Sequence, residues 1–181
     1  NMGSGFISKN MKKIAFLFPG QGAQYPGMAK DFVEMFPAAR ETFEEADDLL
    51  GRKLSDIILK GPPELLTETR NSQTGIFVAC VAMLRVLEKL FPQIRPSICA
   101  GLSLGEYTAL YASQRLSFAE CLKLVHWRGQ YMNDACEETK GTMAVVLGLE
   151  GPVVELLVKE VNLPNDLWVA NFNCPGQVVL S

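Results

Sequence analysis

Pro96-Ser97-Ile98-Cys99-Ala100-Gly101-Leu102-Ser103-Leu104-Gly105-Glu106-Tyr107 is the stretch that decides the fold. Pro96 to Ala100 reads as a short strand, bounded by proline on one side and Gly101 on the other. Glu106 to Ser113 reads as a helix. The G-x-S-x-G between them therefore lies on a sharp strand-to-helix turn, which forces strained backbone angles on its middle residue. Glycines two positions to either side remove the side chains that would clash. Such a turn lifts the Ser103 hydroxyl to the C-terminal edge of a sheet, where open α/β folds place their sites. The N–H groups that follow, at a helix N-terminus, face any oxyanion formed there. The plainer reading is a tight turn with a capping serine.

Outward from this turn, Ile14 to Phe18 is a continuous apolar run ended by Pro19-Gly20, the pattern of a strand buried on both faces of a parallel sheet. Gly20-Gln21-Gly22-Ala23-Gln24 follows as a glycine-rich loop. It matches neither G-x-x-x-x-G-K-[ST] nor G-x-G-x-x-G, so a nucleotide-phosphate reading fails. Ala38 to Leu50 has apolar residues at helical spacing, closed by Gly51. Leu54 to Leu59 is a shorter amphipathic piece, broken by Gly61-Pro62-Pro63. Ser72 is expected to cap a long, mostly buried helix from about Gly75 to Leu90. Ser117 is expected to cap another, running to about Cys136. Strand 142–149, helix 152–161 opened by Pro152, strand 167–172, a turn at Pro175-Gly176 and a last strand from Val178 complete the chain. Alternating strands and helices mean an α/β architecture.

Composition narrows the function classes. The 181 residues are 48% hydrophobic and 20% charged, which suits a globular core and excludes extended disorder. A net charge of −3 leaves no basic excess for nucleic acid as main partner. No apolar run approaches the ~20 residues needed to span a bilayer. Cys80, Cys99, Cys121, Cys136 and Cys174 are scattered without a C-x-x-C and read as small buried hydrophobes in a reducing compartment, with no metal site. Residues 1–10 read as a leader or cloning remnant before a start at Met11. The apolar run after Lys13 is too short for a signal peptide. His126 is the only histidine, so a histidine-dependent mechanism uses it or takes its base from outside the chain.

Five stretches in order carry a resemblance. They are Phe18-Pro19-Gly20-Gln21-Gly22-Ala23-Gln24, Gly101-Leu102-Ser103-Leu104-Gly105-Glu106-Tyr107, Arg128-Gly129, Gly141-Thr142-Met143-Ala144 and Asn171-Phe172-Asn173-Cys174-Pro175-Gly176-Gln177-Val178-Val179. Together they resemble the malonyl-CoA:acyl carrier protein transacylases of dissociated fatty acid synthesis, from about Lys13 to Ser181. The resemblance implies an α/β-hydrolase-like, parallel-sheet large domain (11–140) with an inserted ferredoxin-like small subdomain, only partly present (141–181). It implies a monomeric, cytoplasmic enzyme without metal or redox cofactor, whose substrates are malonyl-CoA and the phosphopantetheine thiol of acyl carrier protein. An acidic carrier protein would need a local basic patch, which the sequence does not locate.

The resemblance also assigns roles. Ser103 would be the nucleophile that carries the malonyl group as an ester in a ping-pong transfer. The backbone N–H groups of Gln21 and Leu104 would form the oxyanion hole, where one lost donor typically costs ~3 kcal/mol. Arg128 would bind the free carboxylate of malonate by two parallel charge-assisted bonds, which lysine cannot reproduce; alone, it would read as a solvated helix charge. Gln73 matches a site glutamine, preceded by Ser72 where threonine is usual. Met143 and Asn173 match positions near the substrate cleft, with a core or turn role as the alternative.

Two departures stand out. Leu102 occupies a position where the family usually has histidine. The family's general-base histidine, and a further glutamine, lie downstream of the Asn-x-Asn-x-Pro-Gly-Gln stretch and are not in this chain. His126 is two residues from Arg128, and residues two apart on a helix face different ways. It is expected to be a packed or surface histidine. A serine without a base is a poor nucleophile near pH 7, so the 181 residues alone are expected to be inactive and the sequence incomplete at its C-terminus. Three other readings stay open: a patatin-like or esterase-type serine hydrolase, a non-catalytic docking module, and an acyltransferase domain of a larger synthase using another extender unit.

Overall fold

The computed structural model describes residues 13–138 and 140–181. The leader read over 1–10 and the start at Met11 lie outside the described residues. The chain divides into two compact units, one ending at Asp134 and the other spanning Ala135–Ser181.

The first unit is α/β, as expected. Strand β1 (Ala15–Phe18) is followed by helices α1 (Lys30–Met35), α2 (Pro37–Leu50), α3 (Leu54–Lys60), α4 (Pro63–Thr67) and α5 (Thr69–Leu90). Strand β2 (Ile98–Gly101), helix α6 (Gly105–Ala112) and helix α7 (Phe118–Glu138) follow, α7 running past the end of the unit. β1 and β2 pair in parallel, from Ala15 opposite Ile98 to Phe18 opposite Gly101. That register ends both strands at the same edge, so the glycine-rich loop after Phe18 and the turn after Gly101 emerge side by side.

Helix α5 is the axis of the core, buried along most of its length from Asn71 to Val86. Phe77 stacks on Phe118 of α7 at 5.6 Å between ring centroids, and the cluster extends through Leu54, Ile58 and Leu66 to Leu122 and Val125. Helix α2 ends as its sequence predicts, with Gly51 left-handed at φ 63° and its N–H on the carbonyls of Asp47 and Asp48. The expected cap of α7 is present as a reciprocal box. The Ser117 N–H and hydroxyl both donate to Glu120 Oε2, at 2.8 and 2.6 Å, and the Glu120 N–H returns to Ser117 Oγ at 3.3 Å.

Three expectations need correction, and two helices add to the sequence reading. Helix α5 begins at Thr69, not near Gly75, and Ser72 does not cap it. The Glu68 carbonyl accepts the N–H groups of Asn71 and Ser72, and the Ser72 hydroxyl donates to the carbonyl of Thr69. The strands are not buried on both faces: Leu17 is 76% and Ile98 65% exposed. Only two strands pair in this sheet among the described residues, and these side chains face solvent. A cavity of about 670 Å³ opens between β1 and the flanks of α1 and α5, lined by Phe16, Phe32, Met83 and Leu87 among others. Third, Cys121 is buried and Cys80 and Cys99 half-buried, but Cys136 and Cys174 are exposed; all five are free thiols. Last, helices α1 and α4 were not anticipated.

The second unit consists of the end of α7, strand β3 (Ala144–Leu147), helix α8 (Gly151–Val161) and strands β4 (Val169–Cys174) and β5 (Gln177–Leu180). β5 lies between β3 and β4, antiparallel to both. This is the split β-α-β arrangement of ferredoxin-like folds. The hairpin joining β4 to β5 turns at Pro175-Gly176, where Gly176 has φ 74°. Val154, Val178 and Val179 form its small buried set.

Candidate active site

The turn between β2 and α6 has the geometry its sequence demands. Ser103 sits at φ 52°, a left-handed angle costly for a residue with a side chain. A Cβ on Gly101 would lie 2.0 Å from the Gly105 carbonyl carbon, because the first turn of α6 folds back over the strand end. A Cβ on Gly105 would lie 2.3 Å from the carbonyl oxygen of Phe18. Each glycine is required by a different neighbour, one by the helix and one by the chain leaving β1. The Leu102 N–H donates to the Phe18 carbonyl at 3.2 Å and closes the junction.

The two loops therefore touch. Gly20 approaches Leu102 so closely that a Cβ there would stand 2.8 Å from its carbonyl oxygen. Gln21, next along, and Leu104, at the N-terminus of α6, carry the N–H groups expected to serve an oxyanion. Among the described residues neither N–H has a protein acceptor.

Arg128 reaches this place from α7. Gly129 lets α7 cross the start of α5 closely: a Cβ there would meet Arg70 Cα at 3.0 Å. This crossing sets Arg128 beside Gln73, and the glycine after the arginine has a packing reason that composition does not reveal. Arg128 Nη2 donates to Ser103 Oγ at 2.8 Å and Nη1 donates to Gln73 Oε1 at 2.5 Å. The guanidinium also lies 6.0 Å from the ring centroid of Tyr107, one turn beyond Ser103.

Gln73 is fully buried. Its Nε2 donates to Met132 Sδ at 3.0 Å and, at a longer 3.4 Å, to Gln21 Oε1. Gln21 Nε2 passes the chain on to Thr69 Oγ1, also at 3.4 Å. All bonds run in one direction, outward from a guanidinium that can only donate. Ser103, Gln21, Leu104, Arg128 and Gln73 are thus brought together. Met132 and Tyr107 belong to the same cluster without having been singled out from the sequence. The signal for Met132 was its position four residues after Arg128, on the same helix face.

His126 does not join them. It lies with Leu49, Leu50 and Trp127 around a separate hollow. Its Nδ1 is buried with no hydrogen-bond partner. Burial, and then the charge of Arg52, lower its pKa below the ordinary histidine value. Both effects favour neutral imidazole, yet nothing aims that imidazole at Ser103. Met143 and Asn173 lie in the second unit. Met143 is exposed just ahead of β3, and Asn173 Nδ2 donates to Gln177 Oε1 across the β4–β5 hairpin at 3.1 Å. Among the described residues, no cluster of His, Cys, Asp and Glu could hold a metal ion, and no helix is long and apolar enough to cross a membrane.

An arginine that grips a serine on a strained elbow, beside two loops with free N–H groups, suits acyl transfer from a carboxylated donor. Residues 15–181 match the family model described as acyl transferase domain. The chain is 44% identical over 173 residues to the malonyl CoA-acyl carrier protein transacylase of Bacillus subtilis, covering 94% of this chain and 54% of that protein. It superposes with a TM-score of 0.85 on the acyl-carrier-protein-S-malonyltransferase of Bartonella henselae, at 40% identity, covering 93% of this chain and 55% of the other. A malonyl-transacylase in complex with its type II PKS acyl-carrier protein gives 0.84 at 38% identity, covering 93% of this chain and 54% of the other. The chain spans about half the length of the curated relatives it matches.

Proposed function

The chain belongs to the acyl transferase domain family, and on that premise we propose that it forms the nucleophile-bearing part of a malonyl-CoA:acyl carrier protein transacylase. The observation that carries the reading is the Ser103–Arg128–Gln73 cluster. Ser103 Oγ attacks the thioester carbonyl of malonyl-CoA, and its proton goes to a base that these residues do not supply. The N–H groups of Gln21 and Leu104 take the oxyanion. Collapse breaks the C–S bond, forms the malonyl-serine ester and releases CoA as the thiol once protonated. The thiol of a phosphopantetheinylated carrier protein then repeats the attack on the ester, and the Ser103 hydroxyl is regenerated.

Arg128 selects the donor. A carboxylate satisfies the guanidinium with two parallel bonds, whereas an acetyl group gives it no anion to bind. Met143 and Asn173 are carried in this reading as substrate-contacting residues of the second unit. The reading includes a cytoplasmic, monomeric enzyme that needs neither metal nor redox cofactor. Incubating the full-length protein with labelled malonyl-CoA and holo acyl carrier protein tests it. Label on the carrier thiol supports the proposal. Free malonate released at the same rate with or without carrier protein would assign a hydrolase instead.

A further inference from the structure

We propose that Met132 is a positioning residue whose thioether fixes the amide orientation of Gln73, and through it the guanidinium of Arg128. The amide of Gln73 is enclosed, and its oxygen and nitrogen ends are nearly the same shape. Only their hydrogen bonds distinguish the two orientations. With Oε1 toward Arg128, the amide accepts from Nη1. Turned over, it would present N–H to N–H and push the guanidinium away from the position where Nη2 meets Ser103 Oγ.

Two groups hold the other end of the amide. The Gln21 amide is a weak guard: its contact is 3.4 Å long, its side chain is exposed, and it can itself turn over to offer either a donor or an acceptor. The thioether of Met132 has no hydrogen to give and stands at 3.0 Å, so it accepts in one orientation of Gln73 only. The need is greatest when a substrate carboxylate draws on the guanidinium, because Arg128 then shares its donors and constrains Gln73 less. Met132 is placed for this by the helix itself, one turn beyond Arg128 on α7. Its inward contact accounts for a methionine where a merely space-filling position would accept leucine.

This inference rests on the transacylase reading for its kinetic arm only. Met132→Leu keeps side-chain volume, at a half-exposed site where it leaves the fold intact. In the full-length protein, the variant is expected to raise KM for malonyl-CoA roughly three- to tenfold, the loss of one hydrogen-bonded orientation, with kcat little changed. The KM effect should vanish in a Gln73→Leu background, since Met132 then has nothing to orient. Independently of activity, the side-chain NH2 signals of Gln73 in nitrogen-15 NMR spectra should exchange with solvent faster in Met132→Leu than in the parent. Unchanged exchange with unchanged KM overturns the proposal, as does a KM effect of equal size with and without Gln73, which would be packing alone. If the parent protein takes no malonyl group, the transacylase reading fails, and the exchange measurement still decides the role of Met132.

Discussion

Arg128 Nη2 donates to Ser103 Oγ across 2.8 Å. The guanidinium thus rests on the Ser103 oxygen while its other arm is held by Gln73. A donated hydrogen bond withdraws electron density from the hydroxyl. On the proposed transacylase reading, a bound carboxylate would compete for the same donor and relieve that contact. The residue that would select the substrate on that reading is the one that restrains the serine until substrate is present.

The first prediction concerns this arginine. Arg128→Ala is expected to lower kcat/KM for malonyl-CoA by 10- to 100-fold, the range of about 1.5–3 kcal/mol for hydrogen bonds to a charged group. Acetyl-CoA should become the better substrate relative to malonyl-CoA. Arg128→Lys should not restore the original preference, because an ammonium cannot make both bonds. Steady-state kinetics with the two thioesters in the full-length protein check it.

A second prediction tests the elbow as a matter of space. Gly101→Ala places a methyl group where the backbone of Gly105 already lies. Overpacking of this kind costs about 1–3 kcal/mol, and each kcal/mol lowers Tm by about 2–4 °C in a protein of this size. Thermal unfolding should show the drop together with lost acyl transfer. A variant as stable and active as the parent would mean that the turn opens easily.

His126 supplies a third. Its lowered pKa means that the unfolded chain takes up a proton first as pH falls. The stability it contributes is present above the ordinary histidine value and is lost as pH falls through the depressed native one. His126→Gln should therefore flatten the decline of stability on the acid side of neutrality, seen as Tm against pH. It should leave malonyl transfer within twofold of the parent. A collapse of transfer would instead make His126 the base.

The capping box gives a fourth. Hydrogen bonds from the Ser117 side chain and backbone lower the pKa of Glu120, so their support of α7 is present above the ordinary glutamate value and fades as pH falls through the depressed one. Ser117→Ala, which removes the cap hydroxyl, is expected to cost about 1 kcal/mol near neutral pH. The difference in Tm between the two proteins should shrink as pH falls below the ordinary glutamate value.

The features legible in the sequence were those in which local chemistry leaves one solution. Gly101 and Gly105 flank Ser103 because backbone atoms fill the space beside them, and Ser117 announces a helix start. Strands β1 and β2 follow from two apolar runs, each bounded by a glycine-bearing loop; their parallel pairing is a finding of the structure. What the sequence hid depends on tertiary context. Apolar strand residues such as Leu17 and Ile98 signal burial, yet their exposure depends on which elements cover the sheet. Ser72 has the chemistry of a cap, but the carbonyl of Glu68 had already opened the helix. At the site, Ser103, Gln21 and Arg128 came from motif resemblance, and the geometry added the order of their hydrogen bonds. Met132 carries no motif; only its contact with Gln73 reveals it.

The central claim is that Ser103 carries the malonyl group. Its most direct test is intact-mass and peptide analysis of the full-length protein quenched after brief exposure to malonyl-CoA. A single malonyl increment on the peptide bearing Ser103, absent from Ser103→Ala and discharged by holo acyl carrier protein, is the predicted result. An increment on any other residue, or transfer that persists in Ser103→Ala, would contradict it.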